Sequence, residues 1–389
     1  MGGDVFRNEY SLEFDGSNDY VEIPNDSSLA LTNDFTLACW CKPTSVAGAG
    51  MRMIDRGTVY YLDWDSTSDK FSFITYSSAN RIMVADNTSA INTWHHIVGT
   101  TSGASGSREM KFYINGVPAL ADFDIDLGSA PNNANGSLGD VEVSTASFFI
   151  GKYDDGQKFT GNIDEVAIWN TALSSNQVKT LYNNREPFNA KNIALSSLKA
   201  YYRMGDGHLD TFSLIADQVN PTLGSEIWDT DSSTFTVDGT HLGSSEETTD
   251  CYGWEKIGTN TIANVSGELR IAYGNDAAGA KSYFRDTGDL NDDLDLTTVY
   301  RLQFDAYADT DTNVKMSSNY FTWESEVFTT VKTTFVVYFL LSHLSAEHLR
   351  LLDFSEGNVF IDNLSLKPVN GNAGLMTSMA SDDIVTDTH

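Results

Sequence analysis

The chain has 389 residues, of which 41% are hydrophobic and 12% aromatic. That is enough apolar surface for ordinary packed cores, so global disorder is excluded, and the length suggests two or three domains. Lys and Arg number 24 against 54 Asp and Glu, a net charge of −30; a field of that sign repels phosphate backbones and anionic membranes, which argues against nucleic-acid binding and membrane association.

Taken in chain order, residues 1–10 carry no apolar h-region. No signal peptide is therefore visible, and synthesis in a cytoplasm is expected. From Tyr10 onward, short alternating segments are separated by turn residues, which is the all-β pattern. Strands are read at 10–14, ending on Asp15-Gly16, and at 20–23, ending on Pro24. Phe35, Leu37, Cys39 and Cys41 then alternate with Thr36, Ala38, Trp40 and Lys42 up to Pro43. Further strands are read at 59–64, 71–76, 81–85 and 95–100. The strand at 111–114 runs into Asn115-Gly116, a strong hairpin signal, and 148–150 and 163–169 close the series. A short helix follows: Ser174 and Gln177 form a capping box, and Leu173, Val178 and Leu181 form one face.

Residues 186–225 read as a joining region, with strands at 197–204 and 213–216. A second strand-rich stretch, 226–368, has Asp-rich turns. The tail 370–389 is small and polar, with Leu375, Met376, Met379 and Ile384 able to anchor it. The longest apolar run, 335–341, is far too short to cross a bilayer, so no membrane insertion is expected. Three cysteines, Cys39, Cys41 and Cys251, make no disulfide framework. The first two share a strand face and point in parallel, so they are read as small buried thiols.

The segment Leu12-Glu-Phe-Asp-Gly-Ser-Asn-Asp-Tyr-Val-Glu-Ile23 resembles the opening of a laminin-G-like, concanavalin A-like jelly roll. The resemblance continues in order through the core strand at 35–43, Thr93-Trp-His-His-Ile-Val-Gly-Thr100, Phe112-Tyr-Ile-Asn-Gly116, the closing strand at 161–169 and the helix at 173–182. It covers residues 10 to about 185. The second stretch resembles jelly-roll carbohydrate-binding modules attached to xylanases, through Gly253-Trp254, 266–271, 300–307 and 360–366. A third likeness, to laminin-G-like proteins of marine bacteriophages, rests on Leu198-Lys-Ala-Tyr-Tyr-Arg-Met-Gly-Asp-Gly207, Ala216-Asp-Gln-Val-Asn220 and Gly374-Leu-Met-Thr-Ser-Met379. It implies that the second jelly roll is inserted between Asn220 and Asn370. The expected fold class is all-β: two antiparallel jelly-roll β-sandwiches, at 1–188 and 226–368. The joining segment 189–225 is expected to pack with the tail 369–389.

Calcium is the expected cofactor, because a hard cation takes carboxylate and carbonyl oxygens at turns. Asp15 and Gly16 end the first strand and Asp164 opens the last one, where first and last strands of a jelly roll commonly meet. Asn18 and Asp19 lie nearby. The laminin-G-like resemblance implies a structural ion at matching positions. In the second jelly roll, Asp362 matches the family's late-strand calcium position, with Glu226 or Asp229 as partners. The alternative is that Asp15 makes a turn hydrogen bond and Asp164 caps a strand. For sugar, exposed aromatic faces beside polar groups are needed. Tyr60, Tyr61, Trp64, Tyr320 and Trp323 are the platform candidates, with core packing as the competing reading for each. Trp40, Trp94, Trp169 and Trp254 are read as packing. His95 and His96 point to opposite strand faces and cannot chelate one ion together. The Glu-x-Asp-x-x-Glu spacing of laminarinase-type hydrolases does not occur, so no catalysis is expected.

The resulting expectation is a non-catalytic glycan-binding adhesion protein on a bacteriophage virion surface, such as a fibre or decoration component. An extracellular location is the alternative. Individually weak sites imply many copies, hence a homo-oligomer or an array with other virion proteins. Two rivals stand beside it: a purely structural virion subunit, and an accessory module of a polysaccharide-degrading system.

Overall fold

The computed structural model describes residues 6–386 except 45–50, 58, 66–67, 77–79, 86–87, 120, 126–139, 154–156, 228–253, 258–260, 273–279, 285–293, 318–321, 342–348 and 355–356. The chain divides into two units, Met1–Thr222 with Asn370–His389, and Leu223–Val369.

In chain order the first unit carries β1 (Tyr10–Asp15), β2 (Tyr20–Ile23), β3 (Phe35–Pro43), β4 (Met51–Asp55), β5 (Tyr60–Asp65), β6 (Lys70–Tyr76), β7 (Asn80–Ala85), β8 (His95–Ser102), β9 (Glu109–Ile114), β10 (Val117–Pro118), β11 (Ala121–Ile125), β12 (Phe148–Ile150), β13 (Lys152–Tyr153), β14 (Gln157–Lys158), β15 (Thr160–Trp169), α1 (Ser175–Tyr182), β16 (Leu198–Tyr202) and β17 (Leu214–Ile215). The second carries β18 (Trp254–Ile257), β19 (Thr261–Val265), β20 (Glu268–Ala272), β21 (Ala280–Phe284), β22 (Tyr300–Ala308), β23 (Thr312–Ser317), β24 (Thr322–Phe328), β25 (Thr333–Phe339), β26 (Leu349–Phe354) and β27 (Asn358–Pro368). The tail returns to the first unit with β28 (Gly374–Thr377) and β29 (Ile384–Thr386).

Two antiparallel sheets face each other in the first unit. Sheet A has the order β10-β9-β8-β3-β15-β1-β29, with β16 also on β15; sheet B has the order β11-β7-β6-β5-β4-β12-β2-β28-β17. The alternation of β3 explains the layering. Phe35, Leu37, Cys39 and Cys41 enter the core between the sheets, while Ala38 joins a second apolar layer with Trp169, Val178, Leu181 and Tyr201. That layer sits under α1, whose capping box closes through Ser174 and Gln177 and whose end is a left-handed Asn183. Burial of each large side chain there contributes about 1.5–3 kcal/mol. His95 packs against Phe71 and His96 against Trp40, on opposite faces of β8.

The first unit continues past residue 188, to Thr222. The reason is pairing: β16 extends sheet A in the register Val166↔Tyr202, and Asp217 accepts hydrogen bonds from the backbone N–H of Tyr201 (3.0 Å) and Asn372 (3.1 Å). The tail strand β28 lies between β2 and β17, in the registers Val21↔Met376 and Leu214↔Leu375. In the second unit, two five-stranded antiparallel sheets have the orders β18-β21-β26-β23-β24 and β19-β20-β27-β22-β25. Strand β22 alternates strictly, sending Tyr300, Leu302, Phe304, Ala306 and Ala308 into the core.

Candidate functional site

The side of sheet B that faces away from the core gathers aromatic and charged side chains from four strands. On β5 the period of two sends Tyr60, Leu62 and Trp64 inward and Tyr61, Asp63 and Asp65 outward. Strand β4 contributes Arg52 and Asp55, set opposite Asp63 and Tyr61. Strand β12 lies between β4 and β2, so Phe149 falls opposite both Asp55 and Glu22. The β13–β14 hairpin then brings Lys152 and Tyr153 over this face.

The guanidinium of Arg52 is clamped between two rings, 3.3 Å from the Tyr61 centroid and 4.2 Å from that of Tyr153, and it pairs with Asp55. The Lys152 ammonium sits 3.7 Å from the Tyr20 centroid and 4.9 Å from that of Phe149, and those two rings meet edge to face. Tyr20, Phe149, Lys152, Tyr153 and Asp63 are half-exposed, and Tyr61 and Arg52 form the buried floor. Burial pushes the Asp63 carboxyl up to about 6 despite Arg52, with Asp65 and Asp55 adding to the rise. Ring faces beside hydrogen-bonding groups of both signs are the ingredients for holding a pyranose.

Of the three predicted platform residues in this region, only Tyr61 belongs to that face. Tyr60 is buried against Phe35, with its hydroxyl donating to the Leu29 carbonyl, and Trp64 is buried against Phe71. Both are corrected to core residues, because the strand period turns them inward. Tyr320 lies outside the described residues, as does the Trp323 side chain, although its strand β24 pairs Trp323 with Met316. Sequence reasoning missed Tyr20, Arg52, Asp63, Phe149, Lys152 and Tyr153.

The anticipated calcium ligands do not converge. In the β1–β15 register Asp15 stands opposite Thr160, which leaves Asp164 four residues, about 13 Å, along the strand. Asp164 is buried and accepts from Asn8 Nδ2 and the Glu165 N–H, both at 2.7 Å. Asp15 accepts from the Ser17 and Asn18 N–H groups across the Gly16 turn, where φ is +77°. Asp19 accepts from the Asp15 N–H at 2.9 Å, and its carboxyl lies close enough to that of Asp15 to hydrogen-bond; burial raises Asp19 to about 6. In the second unit, Asp362 pairs with Lys332 and accepts from the Asn363 N–H. Glu226 accepts instead from the Leu366 N–H and the Ser365 hydroxyl, both at 2.6 Å, roughly 10 Å along β27. Asp229 lies outside the described residues. Asp164 is therefore not brought to the Asp15–Asp19 turn, nor Glu226 to Asp362; no group of three or more His, Cys, Asp or Glu positioned for a metal occurs among the described residues.

Beside Asp164, the Glu165 carboxyl is buried at a bulge with φ +49°. It receives the Tyr201 hydroxyl and Arg203 Nε, the latter at 3.0 Å. Burial pushes it up to about 7, against the pull of Arg203. Arg203 also donates to the Arg7 carbonyl, and Asp206 accepts from the N–H groups of Glu9 and Tyr10, which pins the first residues of the chain to sheet A.

Residues 15–179 match the family described as the Concanavalin A-like lectin/glucanases superfamily. The matched segment lies within the first unit and runs from the end of β1 into α1. A comparison with curated proteins gives no match. Among solved structures, the chain is similar to a heptameric SAP-like pentraxin from Limulus polyphemus, at 15% identity over 46% of this chain and 83% of that one, TM-score 0.34. It is similar to a Bacteroides ovatus protein proposed to bind carbohydrate, at 18% identity over 55% of this chain and 56% of that one, TM-score 0.39. The chain thus spans just over half of the Bacteroides protein. Domain 4 of AbnA, an extracellular arabinanase of Geobacillus stearothermophilus in complex with arabinotriose, aligns at 20% identity over 47% of this chain and 79% of that one, TM-score 0.33. At these identities and scores the likenesses concern fold alone.

Proposed function

We propose that the concanavalin A-like domain is a non-catalytic glycan-binding module that uses the outward face of sheet B. The observation that carries this reading is the half-exposed strip of Tyr20, Phe149 and Tyr153, flanked by Arg52, Lys152 and Asp63. Sugar rings stack on such faces through their C–H patches while hydroxyls meet the flanking polar groups. The biological setting we propose is a virion surface component, extracellular in action, presented in many copies so that weak sites add up. Calcium enters this reading only through the Asp15–Asp19 turn.

The test is a glycan array probed with the full chain, with calcium and with chelator, alongside a Tyr153→Ala variant and an assay for released reducing ends. Binding that weakens in the variant, without release of sugar, supports the reading. Release of reducing ends would replace it with a hydrolase. A second reading, a structural virion subunit that binds no sugar, is favoured by one observation in the second unit: Val327, Val331 and Val336 are 49%, 68% and 40% exposed. Absence of binding to any glycan by a natively folded chain selects that reading.

A further inference from the structure

On the outward face of sheet B, strands β4 and β5 carry three carboxylates, Asp55, Asp63 and Asp65. Asp55 takes Arg52, and Asp65 lies opposite Lys70 across the β5–β6 pair. Asp63 stands between them on the same face, with one carboxylate oxygen, Oδ1, buried and without a hydrogen-bond partner. The Nε of Arg52 is likewise buried and unpartnered; the guanidinium is hydrogen-bonded to Asp55 and held by the two rings, so Arg52 reaches Asp63 by its charge while Oδ1 keeps no hydrogen-bond donor. Arg52 and Lys152 are each seated over aromatic rings.

We propose that this face takes a positively charged glycan, one bearing free amino groups, with Asp63 as the carboxylate that receives an ammonium. The inference rests on the glycan-binding reading above and adds the charge class. An ammonium supplies a hydrogen-bond donor for Asp63 and a positive charge to set against Asp63, Asp65 and Asp55, and a charge-assisted bond is about twice as strong as a neutral one. A neutral sugar supplies donors without the charge. A uronate or sulfated sugar meets Asp55, Asp63 and Asp65 together with a chain of net charge −30. Burial raises the Asp63 carboxyl to about 6 against the pull of Arg52, with the Asp65 and Asp55 charges adding to the rise.

The experiment is titration calorimetry of the full chain near neutral pH with four short oligosaccharides: a fully deacetylated glucosamine oligomer, its N-acetylated counterpart, a glucose oligomer and a galacturonic acid oligomer. Wild type is compared with Asp63→Asn and with Glu13→Gln, an exposed charge change on the other sheet, with melting temperatures as the folding control; if Asp63→Asn is unfolded, Asp63→Ser takes its place. The amine oligomer is expected to bind at least roughly tenfold more tightly than the N-acetylated one, an advantage lost in Asp63→Asn and kept in Glu13→Gln. Equal affinity for amine and neutral oligomers, or tighter binding of the uronate, overturns the charge class and leaves the glycan reading standing. An equal loss in both variants reduces the effect to bulk attraction and also overturns it. No binding of any oligomer, together with a blank glycan array, overturns both.

Discussion

Replacing Glu165 with Gln tests whether the buried network at the β15 bulge is titrated in the working range of the protein. Glu165 is 6% exposed, and its carboxyl moves from an ordinary 4.5 to about 7 in the folded state, first through burial. A carboxyl raised in this way binds its proton more tightly folded than unfolded. Its contribution to stability is fully present below about pH 4.5 and is lost as pH rises through about 7. Taken between about pH 8 and about pH 5.5, the linkage relation gives about 2 kcal/mol of stabilisation on acidification. That corresponds to a rise of roughly 4–8 °C in Tm for a unit of this size. His95, lowered by burial, opposes this below its ordinary range, but it is common to both proteins and cancels in the comparison. Loss of the Arg203 partner shifts the variant's overall stability without creating a pH slope. Urea unfolding across this pH range should therefore show the acid-induced gain reduced by about 2 kcal/mol in Glu165→Gln. Parallel curves for the two proteins would refute the assignment of Glu165 as a proton-binding site.

Four further outcomes are expected. Gly99→Ala should cost about 1–3 kcal/mol in equilibrium unfolding, because an added Cβ stands 2.5 Å from the Phe73 ring. Tyr60→Phe should leave glycan binding unchanged while Tyr153→Ala weakens it at least several-fold in calorimetry, since only the second ring lies on the outward face. Calcium should raise Tm by a few degrees, with the effect abolished in Asp19→Asn; identical melting with calcium and with chelator removes calcium from the Asp15 turn. Replacing residues 223–369 with a short Gly-rich link should leave the first unit folded by far-UV circular dichroism and cooperative melting, because Thr222 and Asn370 are already joined by a 2.9 Å hydrogen bond.

Much of this molecule is legible from spacing alone. The alternation 35–41 places four side chains in the core, and the Ser174–Gln177 pair marks where α1 starts, because both signals are local. The run at 60–65 shows how the same rule was underused. Its two aspartates alternate with Tyr60, Leu62 and Trp64, which is enough to turn those three inward, whereas the density of aromatics suggested an exposed platform. The remainder of the outward strip was not readable, because Tyr20, Phe149 and Tyr153 come from distant segments. They meet only because β12 inserts between β2 and β4. Asp15 and Asp164 stay apart for a related reason: two strands can be neighbours while a four-residue offset in register separates their carboxylates.

The position of β28 has a consequence for synthesis. This strand is internal to sheet B, and among the described residues β17 joins that sheet only through it. A ribosome makes residues 1–222, then the whole of 223–369, before the strand that completes the first sheet emerges. At about 5–20 residues per second the delay is on the order of ten seconds. During that interval β2 presents an open edge, while the later-made unit already has every strand it needs. Of the two units, the one whose synthesis starts first is therefore the later to close.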